Sequence, residues 1–152
     1  MVPAMKIFID SGLLIEYEKQ SQTELLEALM EGNHQIFINP IVISEYLYQL
    51  LGVIGGRSPM SICESGKISE TLSMHDTKTF LSGFQILPIP NTAIPLAIDF
   101  MQKHNLLPND SIILASCKLQ EVNVLASYDS DFHKACLAEG IQLISRIADF
   151  QF

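Results

Sequence analysis

"KIFIDSGLLI", residues 6–15, is a short apolar run that ends on a carboxylate, Asp10, and turns at once into Ser11-Gly12. An aspartate in that place caps a helix, accepts a phosphoryl group or holds a metal ion. The apolar part of the run reads as a buried strand over residues 5–9. Stretches of the same kind recur at 35–38, 85–89, 122–126 and 141–144, each short, apolar and often β-branched, as parallel strands covered on both faces are.

Between these strands lie helical patterns. Residues 23–30 carry Leu25, Leu26 and Leu29 on one face, with Gly32-Asn33 as a stop. Asn39-Pro40 opens the next helix, asparagine as cap and proline in the first turn, running to about residue 51. Residues 52–65, rich in Gly, Ser and Pro, read as a loop, and 67–84 as a more polar helix lying over it. A helix over 92–104 is expected with Asn91 as its cap, another over 110–119 with Asn109 as its cap, and a last one over 131–138 ended by Gly140. Strands alternating with helices predict one α/β domain spanning 1–152, with a mainly parallel central sheet of about five strands and right-handed crossovers. In such sheets functional groups gather at the carboxyl ends of the strands.

Composition narrows the function. The chain has 152 residues, of which 48% are apolar and 17% charged, enough for a compact core and too apolar for disorder. No apolar run approaches the roughly 20 residues that span a bilayer, and no basic segment followed by an apolar one marks a secretory signal, so a cytoplasmic location is expected. The three cysteines are widely spaced and the four histidines lack paired metal-ligand spacing, which leaves zinc and redox motifs unsupported. A net charge of −8 argues against broad charge-driven binding to nucleic acid. It is compatible with a nuclease that meets its phosphodiester through divalent cations held by surplus acids.

Asp10 meets the strand-end test, and so does Asp129, just past the 122–126 strand in "LASYDSDF". Asp110 opens the apolar helix "NDSIILASCKL", where a lone acid would simply favour the helix dipole. Glu45 lies within "NPIVISEYLYQLL", a helix apolar enough to be largely buried, where a carboxylate is costly unless paired, hydrogen-bonded or metal-bound. If these four acids converge, their mutual repulsion calls for a hard divalent ion, and a carboxylate-only cluster suits Mg2+ or Mn2+.

The residues "IFIDSGLLI", "PIVISEYLY" and "NDSIILASCKLQEVNVLASYDSDF" together resemble the PIN-domain ribonucleases, especially VapC-type toxins of toxin-antitoxin pairs, over essentially the whole chain. The resemblance implies a three-layer α/β/α fold and a metal-dependent endoribonuclease. Asp10, Glu45, Asp110 and Asp129 would be its catalytic, metal-binding acids, Ser11 and Ser127 supporting hydroxyls, and Asp131 an accessory acid. It further implies an RNA substrate, a small antitoxin partner, no membrane contact and a homodimer. Two apolar stretches, "YLYQLLGVIGG" and "TKTFLSGF", could line such interfaces or pack in the core, and Arg57, Lys67 and Lys103 are solvated surface charges first and candidates for RNA backbone contact second. Gly12 departs from the family's frequent polar residue there, and Cys117 from its common alanine.

Other readings fare worse. A haloacid-dehalogenase-type phosphatase needs D-x-D, and Gly12 replaces its second acid; a receiver domain needs paired acids after its first strand and a late lysine. A catalytically inactive PIN-like binding module would be favoured by loss of one of the four acids, and all four are present.

Overall fold

The computed structural model describes residues 4–150. In chain order these form β1 (Lys6–Ile9), α1 (Ser11–Glu18), α2 (Glu24–Glu31), β2 (Gln35–Ile38), α3 (Pro40–Gly55), α4 (Pro59–Glu64), α5 (Ile68–Leu72), α6 (Thr77–Ser82) and β3 (Gln85–Ile86). There follow α7 (Ala93–His104), α8 (Pro108–Leu119), β4 (Val124–Ala126), α9 (Phe132–Glu139), β5 (Gln142–Ile144) and a 3-10 turn, Ile147–Phe150.

The strands form one parallel sheet in the order β3-β2-β1-β4-β5. The chain builds outward from β1 to β3, then restarts on the other side of β1 with β4. With right-handed crossovers this reversal sends the helices of the two halves to opposite faces, giving three layers. It also places a topological switch point between β1 and β4, where the first connections diverge and leave a crevice at the carboxyl ends. Ile7, Phe8 and Ile9 of β1 and Leu125 and Ala126 of β4 are fully buried, so the two strands that flank the crevice are anchored in the core.

Several elements differ from their sequence reading, each for a local reason. α1 is absent from that reading: Leu13, Leu14 and Ile15 are consecutive and all buried, so the helix has no polar stripe to betray its period. The expected loop over 52–65 holds the end of α3 and all of α4. Its Gly, Ser and Pro are helix punctuation: Gly56 ends α3 at φ 69°, Ser58 Oγ accepts from Ser61 N at 3.2 Å, and Pro59 fills the first turn of α4.

The expected helix over 67–84 is two short ones. At the break, His75 Nε2 lies 2.9 Å from Glu18 Oε2 and its Nδ1 2.8 Å from Thr77 Oγ1, contacts a continuous helix would not direct there. The 85–89 strand keeps two residues, because Pro88 and Pro90 have no N–H to continue a ladder. α7 starts with Thr92 at the cap position, without a side-chain bond, and not with Asn91. α8 starts at Pro108 with Leu107 at the cap position, which releases Asn109 for another role.

α3 is buried along one face only. Val42, Tyr46 and Leu50 are in the core, while Tyr48 is 58% exposed. In the second apolar stretch Phe80 stacks on Tyr17 and Tyr46, with centroids 5.7 and 5.6 Å away, so it packs inward.

Candidate metal centre

The backbone delivers the acids to the crevice. Asp10 N donates to Ala126 O at 3.0 Å, continuing the β1–β4 ladder one residue past the strands and setting Asp10 beside Ser127. Asp10 both follows the last strand residue and caps α1: its Oδ1 accepts from Ser11 N at 2.9 Å. Its Oδ2 accepts from Ser127 Oγ at 2.7 Å, and that same hydroxyl accepts from Asp129 N at 3.0 Å. Ser127 therefore clamps the end of β1 to the start of the acidic turn. Asp129 Oδ1 in turn accepts from Asp131 N at 2.9 Å, which folds the 129–131 turn back on itself.

Glu45 reaches the crevice from α3, where Asn39 caps the helix by accepting from Val42 N at 2.9 Å. Glu45 Oε1 accepts from Ser11 Oγ and Oε2 from Asn109 Nδ2, each at 3.3 Å. The second bond ties α3 to the start of α8, and Asn109 is a site residue that the sequence reading treats only as a helix cap. Its signal is its place directly before Asp110, but α8 has to begin two residues earlier than that reading for it to be free.

One carboxylate oxygen from each of Asp110, Asp129 and Asp131 lies within 4.8 Å of the others. Charge registers the convergence of the wider group. The Asp110 carboxyl is pushed up to about 7, first by burial and then by Asp10, Asp129, Glu45 and Asp131. Asp10 is also raised, chiefly by burial and then by Glu45 and Asp129, against the lowering effect of its bonds from Ser127 and Ser11. Asp110 thus senses the charge of all four other acids. The tightest trio includes Asp131, an accessory acid in the sequence reading, while Asp10 and Glu45 stand behind it, held by protein donors. A carboxylate offers about four lone-pair sites, so Asp10 and Glu45 keep acceptor capacity beyond those bonds.

The donor set is all hard oxygen, buried and crowded enough to hold a proton at Asp110 near neutrality. That is the chemistry a divalent hard cation relieves, and the residues present fit one. Arg57, Lys67 and Lys103 each make a local contact: Arg57 Nη2 donates to Ser65 Oγ at 2.7 Å, Lys67 pairs with Glu70 at 3.2 Å and Lys103 with Glu139 at 3.1 Å.

Residues 7–137 match the PIN domain. The chain belongs to the PIN domain family. Among curated relatives, Ribonuclease VapC2 of Methanocaldococcus jannaschii is 31% identical over 140 residues, covering 91% of this chain and 94% of that protein. Ribonuclease VapC6 of the same organism is 34% identical over 149 residues, covering 90% and 96%. Among solved structures, VapBC2 from Rickettsia felis bound to a DNA fragment from its promoter has a TM-score of 0.62 at 17% identity, covering 91% of this chain and 97% of that one. In this PIN domain the departure at Cys117 is accommodated: the residue is fully buried in α8 and burial holds its thiol protonated. At Gly12 a Cβ would meet only Tyr128 Cδ2, at 4.0 Å. Among the described residues no helix is long and apolar enough to cross a membrane.

Proposed function

We propose that this chain is a divalent-metal-dependent endoribonuclease, the toxin of a VapBC-like toxin-antitoxin pair, acting as a single PIN domain. The observation that carries the reading is the meeting of Asp110, Asp129 and Asp131 within 4.8 Å at the β1–β4 switch point, in a chain whose curated relatives are ribonucleases.

Asp110, Asp129 and Asp131, with Asp10 and Glu45 behind them, would hold Mg2+ or Mn2+. Such an ion supplies a water activated at neutral pH and a counter-charge for the phosphodiester. The chain's own part is positional. Ser127 and Ser11 N hold the Asp10 carboxylate in one orientation. Ser11 Oγ and Asn109 do the same for Glu45. Asp110, whose proton leaves near neutrality, is the group whose charge state sets the affinity of the site. The substrate is RNA, the regulatory partner a small antitoxin, the working form a homodimer and the location the cytoplasm.

The test is incubation of the purified protein with labelled structured RNA in Mn2+, in Mg2+ and in EDTA, beside Asp110→Asn. Cleavage that requires the metal and disappears in the variant is expected. Equal cleavage in EDTA, or by the variant, would overturn the mechanism. Co-expression with the product of the adjacent gene should yield a co-purifying complex.

A further inference from the structure

The acids account for the reaction at one phosphate but leave unexplained how a chain of net charge −8 holds the rest of an RNA strand. A cleft of about 310 Å3 is walled by the α1–α2 turn (Ser21, Thr23, Glu24) and by Tyr128, Ser145 and Arg146, which follow the carboxyl ends of β4 and β5 on the sheet edge that carries Asp10 and Asp129. Ala126 pairs with Ile144 in the sheet, and Ser127 N donates to Ile144 O at 3.0 Å. Ser145 Oγ then donates to Ser127 O at 2.8 Å, so the two strands stay side by side beyond the ladder, with Tyr128 and Arg146 the next residue on each. Tyr128 lies in sequence between Ser127, which holds Asp10, and Asp129. Its ring passes over the first turn of α1 at Gly12. It lines the cleft, and its backbone joins the cleft wall to the acidic turn.

We propose that this cleft is the subsite for one nucleotide next to the scissile phosphate. The Tyr128 ring would stack on the base, the Arg146 guanidinium would contact the flanking phosphate, and the hydroxyl and carboxylate groups of the α1–α2 turn would meet the base edge. This rests on the ribonuclease reading above.

Three features support it. The volume is at the low end of the roughly 300–1,000 Å3 of ligand pockets, room for one nucleotide and not for a folded element. A half-buried aromatic next to a cation is the pairing that single-stranded nucleic acid uses, base on ring and phosphate on guanidinium. Arg146 is also held in place for a phosphate contact. Its Nε donates to Asp149 Oδ1 at 3.3 Å, Asp149 Oδ2 accepts from Ser145 N at 2.9 Å and Arg146 N at 3.2 Å, and the side chain remains 78% exposed. The tether fixes the root of the side chain and leaves its terminal Nη groups for the phosphate. Among the residues lining the cleft Arg146 is the one cation, two residues past the carboxyl end of β5; Arg57, Lys67 and Lys103 do not line it.

The test compares Arg146→Gln, Tyr128→Ala and Tyr128→Phe with the unaltered protein, measuring KM and kcat for cleavage of structured RNA in Mn2+, and binding of labelled oligo(A) against salt by fluorescence anisotropy. Thermal melts check that each variant folds. Arg146→Gln should raise KM about tenfold, with a much smaller change in kcat, and reduce the slope of log affinity against log salt by about 0.7, one phosphate contact on a single strand. Tyr128→Ala should raise KM about tenfold, the size of one lost stack, and Tyr128→Phe should restore it.

Folded variants that keep KM and the salt slope while the unaltered protein cleaves normally would overturn the subsite and leave the ribonuclease standing. No metal-dependent cleavage by the unaltered protein would overturn the ribonuclease reading itself, and the subsite with it.

Discussion

A single hydroxyl and a single proton govern the candidate site. Ser127 Oγ both donates to Asp10 and accepts from Asp129 N, so Ser127→Ala releases two acids at once and should weaken Mn2+ binding about 10–100-fold. Isothermal titration with Mn2+ reads this directly, and unchanged affinity would remove Ser127 from the site. At Asp110 the folded chain holds a proton up to about pH 7 that the unfolded chain loses near its ordinary value of 3.8. Between those values the folded state binds more protons than the unfolded, so the metal-free protein should lose stability as pH rises through that window and level off above it. A bound cation has the opposite sign, since it displaces that proton, and protection by Mn2+ should grow with pH through about 7. Thermal melts across pH, with and without Mn2+, test both, and Asp110→Asn should flatten both curves. The acids are legible in the sequence because each sits at the end of an apolar run or inside one. Asn109 and Arg146 are not, because the groups that give them meaning, Glu45 and the cleft, come from residues 64 positions away or from neighbouring strands.

Two of the acids, Glu45 in α3 and Asp110 in α8, are carried by helices, whose ends decide where those acids sit. Asn39 is fully buried and its Oδ1 accepts from Val42 N, fixing the start of the helix that bears Glu45. Asn39→Ala should cost about 1 kcal/mol or more, seen as a lower urea midpoint at unchanged slope. It should also lower cleavage by loosening Glu45, whereas full activity would separate the cap from the site. The same end signals explain what the sequence reading catches and what it mistakes. Asn39-Pro40 and Gly140 read as a start and a stop, and both hold, Gly140 at φ 73°. Gly56, Ser58 and Pro59 are punctuation of the same sort, but two helix boundaries packed so closely share the composition of a loop. α1 escapes detection for the converse reason, as burial on several sides erases the periodicity that marks a helix.

At the scale of the molecule the sheet is the frame on which everything else is measured. Phe8 is fully buried in β1, the strand flanked by β2 and β4 on either side. Phe8→Ala should cost about 3–5 kcal/mol, a large share of the roughly 5–15 kcal/mol that holds a domain of this kind together. Chemical denaturation would report it, and a loss below about 1 kcal/mol would mean that the core repacks around β1 more freely than its burial implies. The class of fold and the strand count were determined by the sequence alone, and the four acids stood out in it as candidates, because apolar runs and the residues that end them are local and survive being read one after another. Strand order was not, nor was the rank of Asp131 within the acidic trio, the partner of Asn109, or the cleft beside Tyr128. Each of those depends on which strand lies beside which. That choice is made by burying the whole core at once, a collective free energy that no single stretch of the chain contains.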